Sequence, residues 1–284
     1  MTTATTAKSW RNNTDSEFRD NIAAYSGLLV SCGLVKVAVS GQIDIATATR
    51  PAAVGGEAGY EIFRFDDSLQ DEAPIYIRVA YGSSGNQSYF GVFITIGSGV
   101  EAAGVLTGTV SSRVTSYGAS TDNVIRSSYA CHTEGMAGVF HAVGHTTSTS
   151  GSWVVCRTCD SNGYATGRGV VIYQNNTSYR CVGQAIKYGQ GGGYINTSPS
   201  VDIAQIPFGI TQLIDGSLPC YPMWCPMPEL TPVVGIVANP RPLISSVDTF
   251  EISVVGNRAR TYMSAPLVMD SVSSGNLSFS MLWE

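Results

Sequence analysis

APIYIRVAYGSSGNQSYFGVFITIGSG, Ala73 to Gly99, decides the class of fold. Ile75, Ile77, Val79 and Tyr81 alternate with Tyr76, Arg78 and Ala80; after Gly82, Ser83, Ser84 and Gly85 the same period of two returns as Phe90, Val92, Ile94 and Ile96. Successive side chains of a strand point to opposite faces, so this alternation predicts two strands around a turn, with one face buried. Upstream, Tyr60, Ile62 and the Phe63 to Phe65 pair begin a third strand. Downstream, short runs recur near 124–130, 138–143, 153–158, 169–174, 180–187, 233–237, 250–255, 260–264 and 277–283, nearly all separated by Gly, Asn, Asp or Ser. That spacing predicts a mainly β fold, a β-sandwich or barrel-like set of antiparallel sheets.

One helix interrupts the pattern. Thr14 and Glu17 stand as a capping box requires, and Phe18, Ile22, Tyr25, Leu29 and Cys32 follow at steps of four, three, four and three. Gly33 comes next, where a left-handed cap is favoured, so the N-terminal amphipathic helix is expected over about residues 15–32, packed on a sheet. The reading divides the chain into an α+β attachment unit, 1–108, and a β-rich region, 109–284, either separate or continuous as one domain. Between Pro207 and Pro242 stand eight of the twelve prolines, which strip ladder donors, and an extended arm without regular pairing is expected there.

Composition limits the function. The 284 residues are 44% hydrophobic, enough for a sizeable core, but only 13% charged, with a net charge of −5. Phosphate backbones require clustered Lys and Arg, so nucleic acid is not expected as a partner. Every apolar run is broken well short of the roughly 20 residues that span a bilayer, and Met1 to Lys8 has neither a basic nor an apolar leader region, so membrane insertion and secretion are not expected. Assembly in a cytoplasm keeps thiols reduced, and seven cysteines leave at least one unpaired within the chain.

The first third carries a likeness. SWRNNTDSEFRD (Ser9–Asp20), GLV (Gly33–Val35), GQIDIATATRPA (Gly41–Ala52), AGYEIFRFDDSLQ (Ala58–Gln70), APIYIRVAYG (Ala73–Gly82) and ITIGSG (Ile94–Gly99) together resemble a family of tailed-bacteriophage virion structural proteins. Members often carry Trp where this chain has Ile45 and Phe63; both remain large and apolar, as packing needs. The resemblance implies a tail or baseplate component with no catalytic role and no cofactor, whose partners are other virion proteins and copies of itself.

Several constellations have residue types that could carry chemistry. His141, His145, Cys156 and Cys159 have the spacing of zinc half-sites, alongside His132, Cys131 and Cys181, but Val154 to Cys156 reads as a strand, which sends residues three apart to opposite faces; ordinary thiols and histidines explain them as well. Cys220 and Cys225 either close a small disulfide loop or remain two apolar thiols. Gly97, Gly99 and Ala102 fit a dinucleotide fingerprint in spacing, without the helix that it needs. Glu61, Asp66, Asp67, Asp71 and Glu72 are crowded enough to suggest a glycosidase pair, although strand-edge and turn charges, with Arg64 and Arg78 pairing to Asp66 and Asp67, explain them more simply. Tyr221, Met223, Trp224 and Met227 are interface candidates, because an apolar stretch is unlikely to stay exposed.

The expectation is a virion structural protein of the tail or baseplate acting through subunit contacts. The alternatives are a receptor- or carbohydrate-binding fibre module that meets a host surface glycan, and a capsid decoration or head fibre protein. An enzyme comes last.

Overall fold

The computed structural model describes residues 2–108, 110–111, 113–119, 125–133, 135–141, 153–159, 165–175, 178–183, 221–226, 230–239, 248–252, 260–264 and 278–282, and for the strands after 183 the backbone alone. In chain order the elements are β1 (Thr2–Ser9), α1 (Asp15–Ser31), β2 (Val35–Lys36), β3 (Glu57–Arg64), β4 (Tyr76–Ser84), β5 (Asn86–Gly97), β6 (Gly99–Val100), β7 (Leu106–Thr107), β8 (Val114–Ala119) and β9 (Ile125–Thr133). They continue as β10 (Met136–His141), β11 (Trp153–Cys159), β12 (Ala165–Asn175), β13 (Ser178–Gly183), β14 (Tyr221–Pro226), β15 (Leu230–Asn239), β16 (Asp248–Ile252), β17 (Arg260–Ser264) and β18 (Ser278–Leu282). The chain is mainly β, with one N-terminal α-helix among the described residues.

The helix forms as its sequence predicts. Thr14 Oγ1 accepts from Glu17 N–H at 3.1 Å, Glu17 Oε2 accepts from Thr14 N–H at 3.2 Å, and Asp15 and Glu17 favour the positive end of the helix dipole. Cys32 caps the last turn and Gly33 turns the chain with φ +100°, a left-handed value that a Cβ disfavours.

Two antiparallel sheets carry most of the rest, and β6 and β7 pair as a separate two-stranded ribbon. The smaller runs β2-β3-β4-β5-β8; the larger runs β1-β9-β10-β11-β15-β18-β17-β16, with β12 and β13 branching from β11 and β14 from β15. Register places Phe63 opposite Ile77 and Ile77 opposite Ile96, so Phe63, Ile77, Val79, Tyr81, Phe90, Val92, Ile94 and Ile96 share one face. On the larger sheet Ala130, Val139 and Trp153 lie in register, as do Ala137, Val155 and Val171. These two faces and the apolar face of α1 form one hydrophobic cluster, which includes residues on both sides of position 108. Phe18, Ile22, Tyr25 and Leu29 are all fully buried in it. Phe90 is the centre: Trp10 stacks on it at 5.8 Å, and Phe18, Tyr25 and Tyr81 lie within 6.0–6.3 Å of its ring.

The chain between β2 and β3 continues along the outer edge of β3. Ile43 N–H donates to Tyr60 O at 2.9 Å and Val37 N–H to Ile62 O at 2.8 Å, so residues 37–43 also line the edge of β3. Ser83 N–H donates to Gly56 O at 3.2 Å, an approach that a Cβ on Gly82 would block at 1.9 Å from the same oxygen.

Three expectations change. The Pro-rich stretch is not wholly an unpaired arm: β14 and β15 form an antiparallel pair within it. The fold accommodates Pro222 and Pro226 because, among the described strands, β14 pairs with β15 alone, and because the register shifts between Pro222 and Trp224. The expected turn at Gly82 to Gly85 is shorter, since β4 continues through Ser84 and Gly85 alone, at φ +67°, separates it from β5. Thr2–Ser9 and Val114–Ala119, which carry no apolar alternation strong enough to mark them, are strands.

Replacing Phe90 with Ala is expected to cost about 3–5 kcal/mol of unfolding free energy in urea titration, from lost burial and the cavity left. Val54→Ala and Val105→Ala, at side chains each 56% exposed, are expected to stay within about 0.5 kcal/mol.

Candidate functional site

The pleat carries one acidic residue into the core. Glu61 shares the face of Phe63 and lies opposite Val79 in β4, fully buried. A carboxylate there needs donors on every side, because desolvation costs several kcal/mol per ion. Ser26 of α1 donates to Oε1 at 3.0 Å, the Lys36 ammonium of β2 donates to the same oxygen, and Tyr81 of β4 donates to Oε2 at 2.7 Å. Lys36 is 42% exposed, so its charge closes the pair at the rim while Glu61 stays dry.

A second carboxylate joins the sheets. Arg157 has the parity of Trp153 and Val155 on β11 and therefore points inward, where it meets Asp67 from the turn after β3. The pair is bidentate, Nε to Oδ2 at 2.7 Å and Nη2 to Oδ1 at 2.9 Å, while Nη1 donates to Ala73 O at 2.8 Å. Both side chains are at most 1% exposed. Nearby, His132 of β9 lies against the Phe65 ring, and its Nε2 accepts from Asp66 N–H at 3.3 Å.

These placements correct the reading of Glu61 and Asp67 as surface charges: Asp67 lies in a turn, but both side chains are buried. Of the expected surface pairs, Arg64–Asp66 forms at 3.9 Å, whereas Arg78 binds Glu57 at 2.8 Å and Asp67 belongs to Arg157. Asp66, Asp71 and Glu72 are exposed. A general base needs an available lone pair within reach of a substrate proton. The Glu61 and Asp67 side chains are buried away from any substrate, and each of their oxygens accepts from an internal donor, which suits a structural bolt.

The remaining candidates are scattered. Cys156 is buried and its thiol donates to Val170 O at 3.8 Å; Val155, its neighbour on β11, shares the face of His132, so Cys156 and His132 project from opposite faces of the sheet. His141 ends β10 opposite Ser128, and Cys159 ends β11 opposite Ala165. His145 lies outside the described residues, as do Cys220 and Met227, so the Cys220–Cys225 disulfide falls outside them too. Among the described residues no group of three or more His, Cys, Asp or Glu side chains comes together. Tyr221, Met223, Trp224 and Cys225 lie on β14, paired with β15. Gly97 and Gly99 end β5 and open β6, and Ala102 starts a three-residue 3-10 turn rather than a helix.

The feature that sequence reading missed is the edge of the larger sheet. β1 pairs with β9 over its whole length, from Thr2 opposite His132 to Ser9 opposite Ile125. On its other side, the main-chain groups of residues 2–9 have no hydrogen-bond partner among the described residues. No apolar alternation in TTATTAKS announces a strand. The two buried ions did leave a signal: Glu61 and Arg157 each keep the two-residue period of the apolar side chains beside them.

Comparison with known protein families, with curated proteins and with solved structures finds no match.

Asp67→Asn is expected to cost about 3–5 kcal/mol, because Arg157 stays buried without its counter-charge, whereas the double change Asp67→Leu with Arg157→Met recovers most of that loss. Chemical denaturation of both, with Asp71→Asn as an exposed control, checks this. Burial pushes the Tyr25 and Tyr81 hydroxyls above their usual range and the Cys32 thiol up to about 12. Groups raised in the fold contribute stability that is whole below their unfolded values, 9.0 for Cys and 10.0 for Tyr, and that is lost as pH rises through the folded ones. Melting temperature is therefore expected to fall from about pH 9 upward, with the tyrosinate absorbance of these two rings appearing only on unfolding.

Proposed function

We propose that the chain is a structural component of a tailed-phage virion, in the tail or baseplate, working through subunit contacts. The observation that carries this reading is the ordered series of strings between residues 9 and 99 that resembles virion structural proteins. The fold supports it, because strings distant in sequence meet. Arg50 Nη1 donates to Asn12 O at 2.7 Å, Arg50 N–H to Asp15 Oδ1 at 3.0 Å, and Arg19 Nη1 to Ala48 O at 3.2 Å. The first and third strings are thus tied around the start of α1.

Two further features favour a load-carrying part over a reactive one. Glu61 and Asp67 are buried, and each of their carboxylate oxygens accepts from a donor inside the fold. The larger sheet ends in an eight-residue strand whose outer main-chain groups are available to a neighbour. Particles are built from repeated contacts between rigid subunits, and both properties serve that end.

Mass spectrometry of gradient-purified particles of the encoding phage is expected to find the chain at constant copy number, and immunogold labelling is expected to place it at the tail or baseplate. A chain that stays in the lysate and never sediments with particles overturns the reading; labelling of the head moves it to a decoration protein.

A further inference from the structure

Strand β1 has the properties of an edge left open for pairing. Its register with β9 runs unbroken through Thr2–Ser9, so no bulge twists it away, and it contains no proline. The other common guard of an edge is a charge. Lys8 is the only charged residue on β1, and it is drawn aside: its Nζ lies 5.0 Å from the centre of the Trp10 ring, and burial lowers its pKa despite the attraction of Asp20. The β3 edge of the smaller sheet is guarded, by contrast, with residues 37 and 43 hydrogen-bonded along it.

We propose that β1 is a self-association edge, where Thr2–Lys8 of one chain pairs antiparallel with Thr2–Lys8 of a second copy and joins two large sheets across a two-fold axis. This deepens the virion reading and rests on it only for the biological setting. The identity of the partner follows from the strand itself. From Thr2 to Ala7 the edge shows only Thr and Ala, which give a foreign strand neither a charge nor an anchor to select. A two-fold contact compensates, since each favourable pair is made twice.

Parity then narrows the register. Outward main-chain groups alternate along a strand, so residues directly opposite across the axis must have the same parity. Centring on Thr5 sets Thr5 against Thr5, Ala4 against Thr6, Thr3 against Ala7 and Thr2 against Lys8. The two lysines lie at opposite ends, no bulky side chains collide, and threonine pairs of this kind are favourable across antiparallel strands. Thr5 is exposed, as a residue at such a centre must be in the isolated chain.

The test uses the full chain in analytical ultracentrifugation. The wild type is expected to dimerise. Thr5→Glu and Thr5→Lys each set like charges face to face and are expected to lose the dimer, with the melting curve of the monomer unchanged. Mixing the two variants in equal amounts is expected to restore it. Under mild oxidation Thr5→Cys is expected to give a covalent dimer and Ala7→Cys none, with the wild type controlling for native thiols. A monomeric wild type, or a dimer indifferent to both Thr5 charges, overturns the proposal. A monomer that is nevertheless found in purified particles removes the edge pairing and leaves the virion role intact, whereas a Thr5-dependent dimer absent from particles does the reverse.

Discussion

Tyr25 belongs to both sheets at once. Its ring lies 6.3 Å from those of Tyr81 and Phe90 on the smaller sheet, and its hydroxyl accepts from Trp153 Nε1 of the larger sheet at 2.7 Å. The helix that carries it is amphipathic and would be marginal alone, because seventeen residues with modest propensity depend on tertiary packing. Once docked, it fixes how the two β layers sit, and it does so with an aromatic residue whose polar end finds a partner in the dry interior. Such a contact specifies geometry more sharply than aliphatic packing, since a misplaced sheet would strand the indole N–H or the phenol.

The buried Arg157–Asp67 pair and the buried Glu61 carboxylate extend that logic. Burying charges is costly, and apolar residues of similar volume would hold the layers together as well or better. What the charges add is discrimination. Glu61 accepts from a helix, a short strand and a long strand, so it rejects any arrangement that fails to bring all three together. Arg157 answers a turn of the smaller sheet from a strand of the larger, and its fork accepts few orientations. A chain with 13% charged residues that buries Glu61, Asp67 and Arg157 has directed them at layer registration.

Much of this was readable beforehand where local physics decides it. The helix announced itself through the Thr14–Glu17 box and Gly33, and the hairpin of β4 and β5 through alternation of Ile and Val, because both signals are properties of adjacent residues. Glu61 and Asp67 were misplaced since the partners that make them bearable, Ser26 and Arg157, lie 35 and 90 residues away. The strand at β1 was invisible for a different reason: Thr and Ala become a strand only because β9 offers them a ladder. Prolines misled at 222 and 226, where β14, paired among the described strands with β15 alone, tolerates what a strand laddered on both sides cannot.

Edges explain why such a fold would be used in assembly. A sheet that ends in air is a hazard unless it is blunted, and the two sheets treat the hazard differently. The smaller one begins with a two-residue strand, continues into a loop that occupies the next hydrogen bonds of β3, and draws its only edge lysine, Lys36, onto Glu61. The larger one ends in β1, eight residues long and regular, with its own lysine folded over Trp10. Covering β3 while leaving β1 straight gives these two edges different capacities to pair: the first has its ladder groups taken up by its own loop, and the second presents eight regular residues.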